Sequence, residues 1–268
     1  MTLKESALQG IIPADLKVFD AHAHLGEGEY SSAFLYTLPI AQSLQLSNKI
    51  GIQAIAASSL KALGGQTVLG NEQIMEYCER FPKEVFAYIF FSAHHVQESL
   101  DCIARYKDHK SFIGVKIHPR DDHAYIQDGS FDALYEYAVK HDILILCHTW
   151  QTEPENDPAN FAMVLKRFPT LKLLLGHMGG TRKGCYSSIA LANEYPNVYL
   201  DINGSLYSEI WIEELVKKAP LHKFIFSTDQ TFNDPRIIMG RVLLSDLTDD
   251  QKRSILYYNF SRAMGWND

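Results

Sequence analysis

Short runs of Val, Ile, Leu and Phe recur along the chain, and longer segments with one apolar and one polar face lie between them. The runs fall at residues 17–22, 52–58, 85–92, 112–118, 143–148, 171–177, 198–202 and 223–228, bounded by breakers such as Gly51, Pro82, Pro119, Pro169, Pro196 and Pro220. Near-continuous apolar runs are typical of strands buried on both faces, and intervening helices supply the crossovers that parallel strands need. The patterning predicts helices over 73–81, 131–141, 160–168 and 186–195, with a closing helix over 249–264. Eight such units predict a closed (β/α)₈ TIM barrel, an open doubly wound sheet being the alternative. No Ser/Gly linker, low-complexity tract or charge block interrupts the pattern, so residues 1–268 read as a single domain.

Composition narrows the picture. With 46% apolar and 21% charged residues the chain can bury a large core. A formal charge of −7 lacks the Lys/Arg excess that a phosphate backbone attracts, so a nucleic-acid partner is not expected. Neither a signal-like N-terminus nor a run of ~18 apolar residues is present, which predicts a cytoplasmic protein with no membrane partner. Cys78, Cys102, Cys147 and Cys185 form no CxxC pair and read as reduced, structural thiols.

The chemistry sits at the ends of the apolar runs. His22 and His24 end the first, His118 the fourth, His148 the fifth and His177 the sixth, and Asp229 follows the eighth. In a barrel these ends converge on one mouth, whereas in an open sheet they would spread along an edge. Residues two apart on a strand point the same way, so His22 and His24 can aim at one point. Imidazoles with a carboxylate suit a borderline cation such as Zn²⁺, which activates a bound water at neutral pH. Any one histidine alone would read as a hydrogen-bonded barrel residue; the shared placement favours His22, His24, His148 and Asp229 as ligands.

The strings VFDAHAHLG, GVKIHP, ILCHT, LLLGHMGG and FIFSTDQ, in that order, resemble the amidohydrolase superfamily, in particular its branch of aminocarboxymuconate semialdehyde decarboxylase-like proteins. The closing NFSRAMGW is similar to that branch's last helix. The resemblance implies a TIM barrel with one divalent metal per chain, zinc or another such as manganese, held by His22, His24, His148 and Asp229. It further implies that His177 is a polarising or acid/base group and that Asp229 doubles as a proton carrier. One departure is Ser227-Thr228-Asp229-Gln230-Thr231, where the branch usually has Gly-Ser-Asp-Tyr-Pro, and the loop after the first strand, Gly26-Glu27-Gly28-Glu29-Tyr30, carries no feature tied to a known substrate.

His118, Arg120, Trp150 and Arg182 follow strands and are expected to line the substrate pocket, the arginines as carboxylate anchors. Lys116 shares a strand face with His118. It reads either as a carboxylated bridge between two metals or, preferably, as a buried lysine paired with a carboxylate such as Asp20. The expected function is a metal-dependent hydrolase of an amide, lactone or ester with a small-molecule substrate. The alternative is a non-oxidative decarboxylase of an aromatic or unsaturated acid. A deoxyribonuclease is disfavoured by the charge, a non-catalytic binding barrel by the intact ligand set, and homo-oligomerisation is left open.

Overall fold

The computed structural model describes residues 1–26, 38–204 and 209–266. Eight parallel strands run in the order β1 to β8: Phe19–Leu25, Ala54–Ser59, Val85–Phe90, Phe112–Ile117, Leu144–His148, Lys172–Gly176, Val198–Asp201 and Phe224–Ile225. The helices used below are α1 (Thr67–Arg80), α2 (Asp132–His141), α3 (Phe161–Arg167), α4 (Arg182–Glu194), α5 (Pro235–Leu243), α6 (Asp249–Arg253) and α7 (Asn259–Ala263). The barrel closes through backbone bonds from β1 to the segment after β8: Ala21 N donates to Phe226 O at 3.1 Å and Asp229 N to His22 O at 2.7 Å. Among the described residues no helix is long and apolar enough to cross a membrane.

Alternation along the strands builds two cores. Val115, Ile145, Leu173 and Leu200 face the surrounding helices. Ala56, Tyr88, Leu146, Leu174 and Ile225 fill the barrel together with Phe19 and Ala21. The end opposite the histidines is sealed by the closing segment: Phe260 stacks on Phe19 at 5.0 Å, and Trp266 packs edge-on against Phe19 at 5.3 Å. All four cysteines are buried and none is in a disulfide, in line with the reading of their spacing.

Among the departures from the sequence pattern, three have a visible cause. The eighth strand, predicted over 223–228, pairs with β7 only through Phe224 and Ile225. Beyond them the backbone is claimed elsewhere: Phe226 N donates to Ile255 O at 3.1 Å while Phe226 O accepts from β1. Helix α4 starts earlier than predicted because Thr181 Oγ1 accepts from Gly184 N at 3.1 Å and caps it. The closing helix is divided into α6 and α7 by one wider turn at Ser254–Tyr258. The loop after β1 to which the sequence assigned no role lies, from residue 27 to 30, outside the described residues.

Gly114 marks a strand contact that tolerates no side chain, because a Cβ there would lie 2.2 Å from Leu144 O. Gly114→Ala should therefore cost about 2 kcal/mol or more. Gly240→Ala in α5, where a Cβ meets nothing within 4 Å, should instead be neutral or stabilising. Parallel denaturant titrations check the pair; equal midpoints for the two variants would contradict the packing described.

Candidate metal centre

A bulge in β1 aims the HxH pair. Asp20 pairs with Ile55 and Ala23 with Ala57, so three steps along β1 match two along β2. Below the bulge the odd-numbered Phe19 and Ala21 fill the barrel, whereas above it Ala23 and Leu25 face the helices. The parity switch leaves His22 and His24 turned towards the axis. Their rings lie 5.2 Å apart, both buried.

His22 is held from both nitrogens. Nδ1 donates to Asp201 Oδ2 at 2.7 Å, which leaves Nε2 as the lone pair. That lone pair faces Lys116 Nζ at 2.7 Å and lies 3.5 Å from Asp229 Oδ1. Asp201, at the end of β7, also accepts from Asn203 N at 3.0 Å, from Asn203 Nδ2 at 2.8 Å and from Ser227 Oγ. A carboxylate behind a histidine fixes its tautomer and raises its basicity as a metal ligand.

The same reasoning orders the other rings. Asn203 Nδ2 also donates to Ser227 Oγ at 2.6 Å, which turns its Oδ1 towards His177 Nδ1 as acceptor. His177 Nε2 is then a lone pair and receives the Nδ1–H of His148 at 3.0 Å. His148 Nε2 in turn faces Glu153 Oε2 at 3.6 Å. His24 Nδ1 bonds Ser58 Oγ at 3.0 Å and Nε2 lies 3.3 Å from Asp229 Oδ1.

Among the described residues, donor atoms of His22, His177 and Asp229 all lie within 4.8 Å of one another. His24 reaches the same carboxylate oxygen, and His148 joins through His177. The separation expected between a ligating His148 and a polarising His177 is thus not a separation in space. His177 (φ 60°) and Asp229 (φ 55°) both occupy the left-handed region, which non-glycine residues adopt at a cost of about 1–3 kcal/mol.

Burial controls the protonation of this cluster. It holds His22, His24, His118 and His148 well below the ordinary imidazole range and lowers His177 too. It lifts Asp229 above the usual carboxylate range, against the pull of His177 and Lys116, and raises Asp201 and Asp20 to about 7. Lys116 is pushed down to about 8. Its expected pairing with Asp20 is not found: Asp20 is occupied by Thr228 N at 2.9 Å and by Thr228 Oγ1, and Lys116 bonds His22 instead.

One cavity of about 390 Å³ is lined by His24, His118, Arg120, His148, Trp150, His177 and Asp229, with Leu63, Phe232 and Asn233 also on its wall. Seven of the residues chosen from sequence thus share it, and His22 lies buried beside it. His118 stacks on His148 at 4.1 Å, and Trp150 lies nearly parallel to His148 at 6.3 Å. Arg182 does not line this cavity; it sits in the first turn of α4 beside Lys183 and Tyr186, on a separate surface groove. Asp201, Asn203, Ser58 and Glu153 were missed. Only Asp201 carried a signal, an acidic residue at the end of an apolar run.

A family model described as Amidohydrolase matches residues 19–263. The fold is similar to that of 5-carboxyvanillate decarboxylase from Sphingomonas paucimobilis, with 11% identity, 94% of this chain and 100% of that chain covered, and a TM-score of 0.77. It is similar to dihydroxybenzoic acid decarboxylase from Polaromonas sp. JS666, solved with manganese and 2-nitroresorcinol, at 14% identity, 93% and 97% coverage and a TM-score of 0.74. It is also similar to 4-oxalomesaconate hydratase from Rhodopseudomonas palustris, at 15% identity, 92% and 95% coverage and a TM-score of 0.68. No curated protein sequence matches the chain.

Two outcomes follow from the geometry. Asp201→Asn removes the acceptor that fixes His22 and should weaken divalent-cation affinity by about 10- to 100-fold, read by chelator competition. Lys116, about 8 and in contact with His22 Nε2, carries its charge at pH 7 and loses it above about 8. Cation affinity should therefore climb as pH rises from about 7 through about 8, as Asp201 and then Lys116 lose their protons, while the depressed histidines are already neutral there and add nothing to the change. A competition series in which the affinity stays flat between about 7 and 9 would contradict this.

Proposed function

Because the chain belongs to the amidohydrolase family, we propose that it is a metal-dependent decarboxylase of a small aromatic or unsaturated acid. The observation that carries this reading is a single cavity lined both by metal-type donors and by flat rings, those of His118, Trp150 and Phe232. Such walls suit a planar substrate. The decarboxylases of similar fold, one of them solved with manganese, support the same reading.

Imidazole and carboxylate donors suit zinc or manganese. One ion per chain would be held by His22, His24 and Asp229 with His177 or His148, and when bound it supplies positive charge beside the substrate's carboxylate. The protein's own groups do the rest. Asn233 Nδ2 donates to Asp229 Oδ2 at 3.1 Å, which leaves Oδ1 turned towards the two histidines of β1. Burial raises the affinity of this carboxyl for a proton, which offsets part of the opposite pull of a bound ion and lets Asp229 take a proton from water. That proton passes from Asp229 to the carbon bearing the substrate's carboxylate. The C–C bond then breaks, its electron pair restores the unsaturated system, CO₂ departs and Asp229 regains a proton from water. Trp150 and Phe232 line the cavity and offer apolar ring surface to the substrate.

Hydrolysis of an amide, lactone or ester is a second reading, favoured by the same carboxylate. With Oδ1 3.3 Å from His24 Nε2, Asp229 is as well placed to take a proton from water as to give one to carbon.

Metal-loaded protein incubated with hydroxybenzoic acids in D₂O should release CO₂ and place one deuteron at the vacated carbon. Turnover of lactones, esters or amides without CO₂ would instead establish hydrolysis. His177→Ala separates two roles on the same preparation. A polarising His177 predicts a kcat lowered by roughly 10²- to 10³-fold with metal retained, whereas a ligating His177 predicts loss of the metal itself.

A further inference from the structure

Two residues of the cavity wall, Arg120 and His148, are backed by one carboxylate that the chemistry above does not use, that of Glu153. Arg120, three residues beyond β4, meets Glu153 Oε1 through Nη1. Glu153 Oε2 accepts from Asn156 Nδ2 and faces His148 Nε2 at 3.6 Å. The glutamate is fixed by its own turn, with Glu153 N donating to Trp150 O at 3.0 Å and Asn156 N to Glu153 O at 3.1 Å. Its side chain is 18% exposed, against 61% for Arg120. The partly buried acid is thus the fixed member of the pair, and the arginine reaches over to it.

We infer that the Arg120–Glu153 pair is the specificity determinant of this cavity, admitting acids with a single carboxylate and a neutral polar group at the far end, and discriminating against di-acids. The inference rests on the proposed reading that the cavity takes a planar acid. Alone on the wall, Arg120 would be a fork for a second carboxylate. Here Glu153 occupies part of that fork and compensates its charge. Asp121 adds a second carboxylate at the same edge, with Oδ2 3.1 Å from His118 Nδ1. Glu153 feels both the attraction of Arg120 and the repulsion of Asp121, so this edge holds two carboxylates to one guanidinium. An incoming carboxylate is repelled there, whereas a hydroxyl can donate to Glu153 and accept from Arg120.

The test is calorimetric titration of the metal-loaded protein with 4-hydroxybenzoate and with 4-hydroxyisophthalate, which differ by one carboxylate. The wild type should bind the mono-acid about tenfold more tightly, and Glu153→Gln should abolish or reverse that ratio while changing the mono-acid Kd by less than about threefold. Glu153→Asp keeps the charge and should keep the preference, which a merely structural role for Glu153 would not predict. A ratio unchanged in Glu153→Gln, or lost equally in Glu153→Asp, overturns the inference and leaves the proposed function standing. Failure of both acids to bind the wild type overturns the inference, and CO₂ release in D₂O decides the proposed function separately.

Discussion

A hydrogen bond between His22 Nδ1 and Asp201 Oδ2, 2.7 Å long and fully buried, ties the first strand of the barrel to the seventh. It spans a region where β8 contributes only two paired residues, so side chains do part of the work that a full strand would do. Fixing the proton on Nδ1 gives His22 a lone pair on Nε2, and that lone pair faces Lys116 and Asp229. A carboxylate, an imidazole and a cationic group are thereby lined up in a dry interior, where their interactions are weakly screened. The tautomers of His177 and His148 follow from Asn203, which is anchored to the same Asp201.

The cost of this arrangement is visible in the backbone and in the ionisation of the site. His177 and Asp229 hold positive φ values, and Asp20, Asp201 and Lys116 are all pulled towards their neutral forms. An added cation would relieve much of the second effect, because it favours deprotonated carboxylates and neutral imidazoles and amines. The buried cluster is therefore better matched to a state with an ion than to one without. That match, together with the ring-lined cavity above it, connects the fold to the proposed chemistry.

Much of this was legible in the chain. Apolar runs marked the strands because both of their faces are covered, by barrel filling on one side and helices on the other. His22, His24, His148, His177 and Asp229 stood out because they end such runs, and barrel topology does the gathering. What lay hidden depends on relations that no pattern encodes. The β1 bulge is an offset between two strands, the Lys116–His22 contact crosses the barrel, and the truncation of β8 reflects competition from Ile255 for Phe226 N. Glu153 resembled any loop acid until its turn placed it beside Arg120 and His148. Arg182 misled because following a strand does not determine which side of the next helix a residue takes.

The central claim is that residues from β1 and the segment after β8, joined by His148 of β5 or His177 just after β6, surround one divalent ion. The most direct measurement is anomalous diffraction from crystals of the manganese-loaded protein. The account predicts a single anomalous peak per chain in contact with His22 Nε2 and Asp229, with Lys116 displaced from that nitrogen. A peak elsewhere, or none while Lys116 still occupies His22 Nε2, would contradict it.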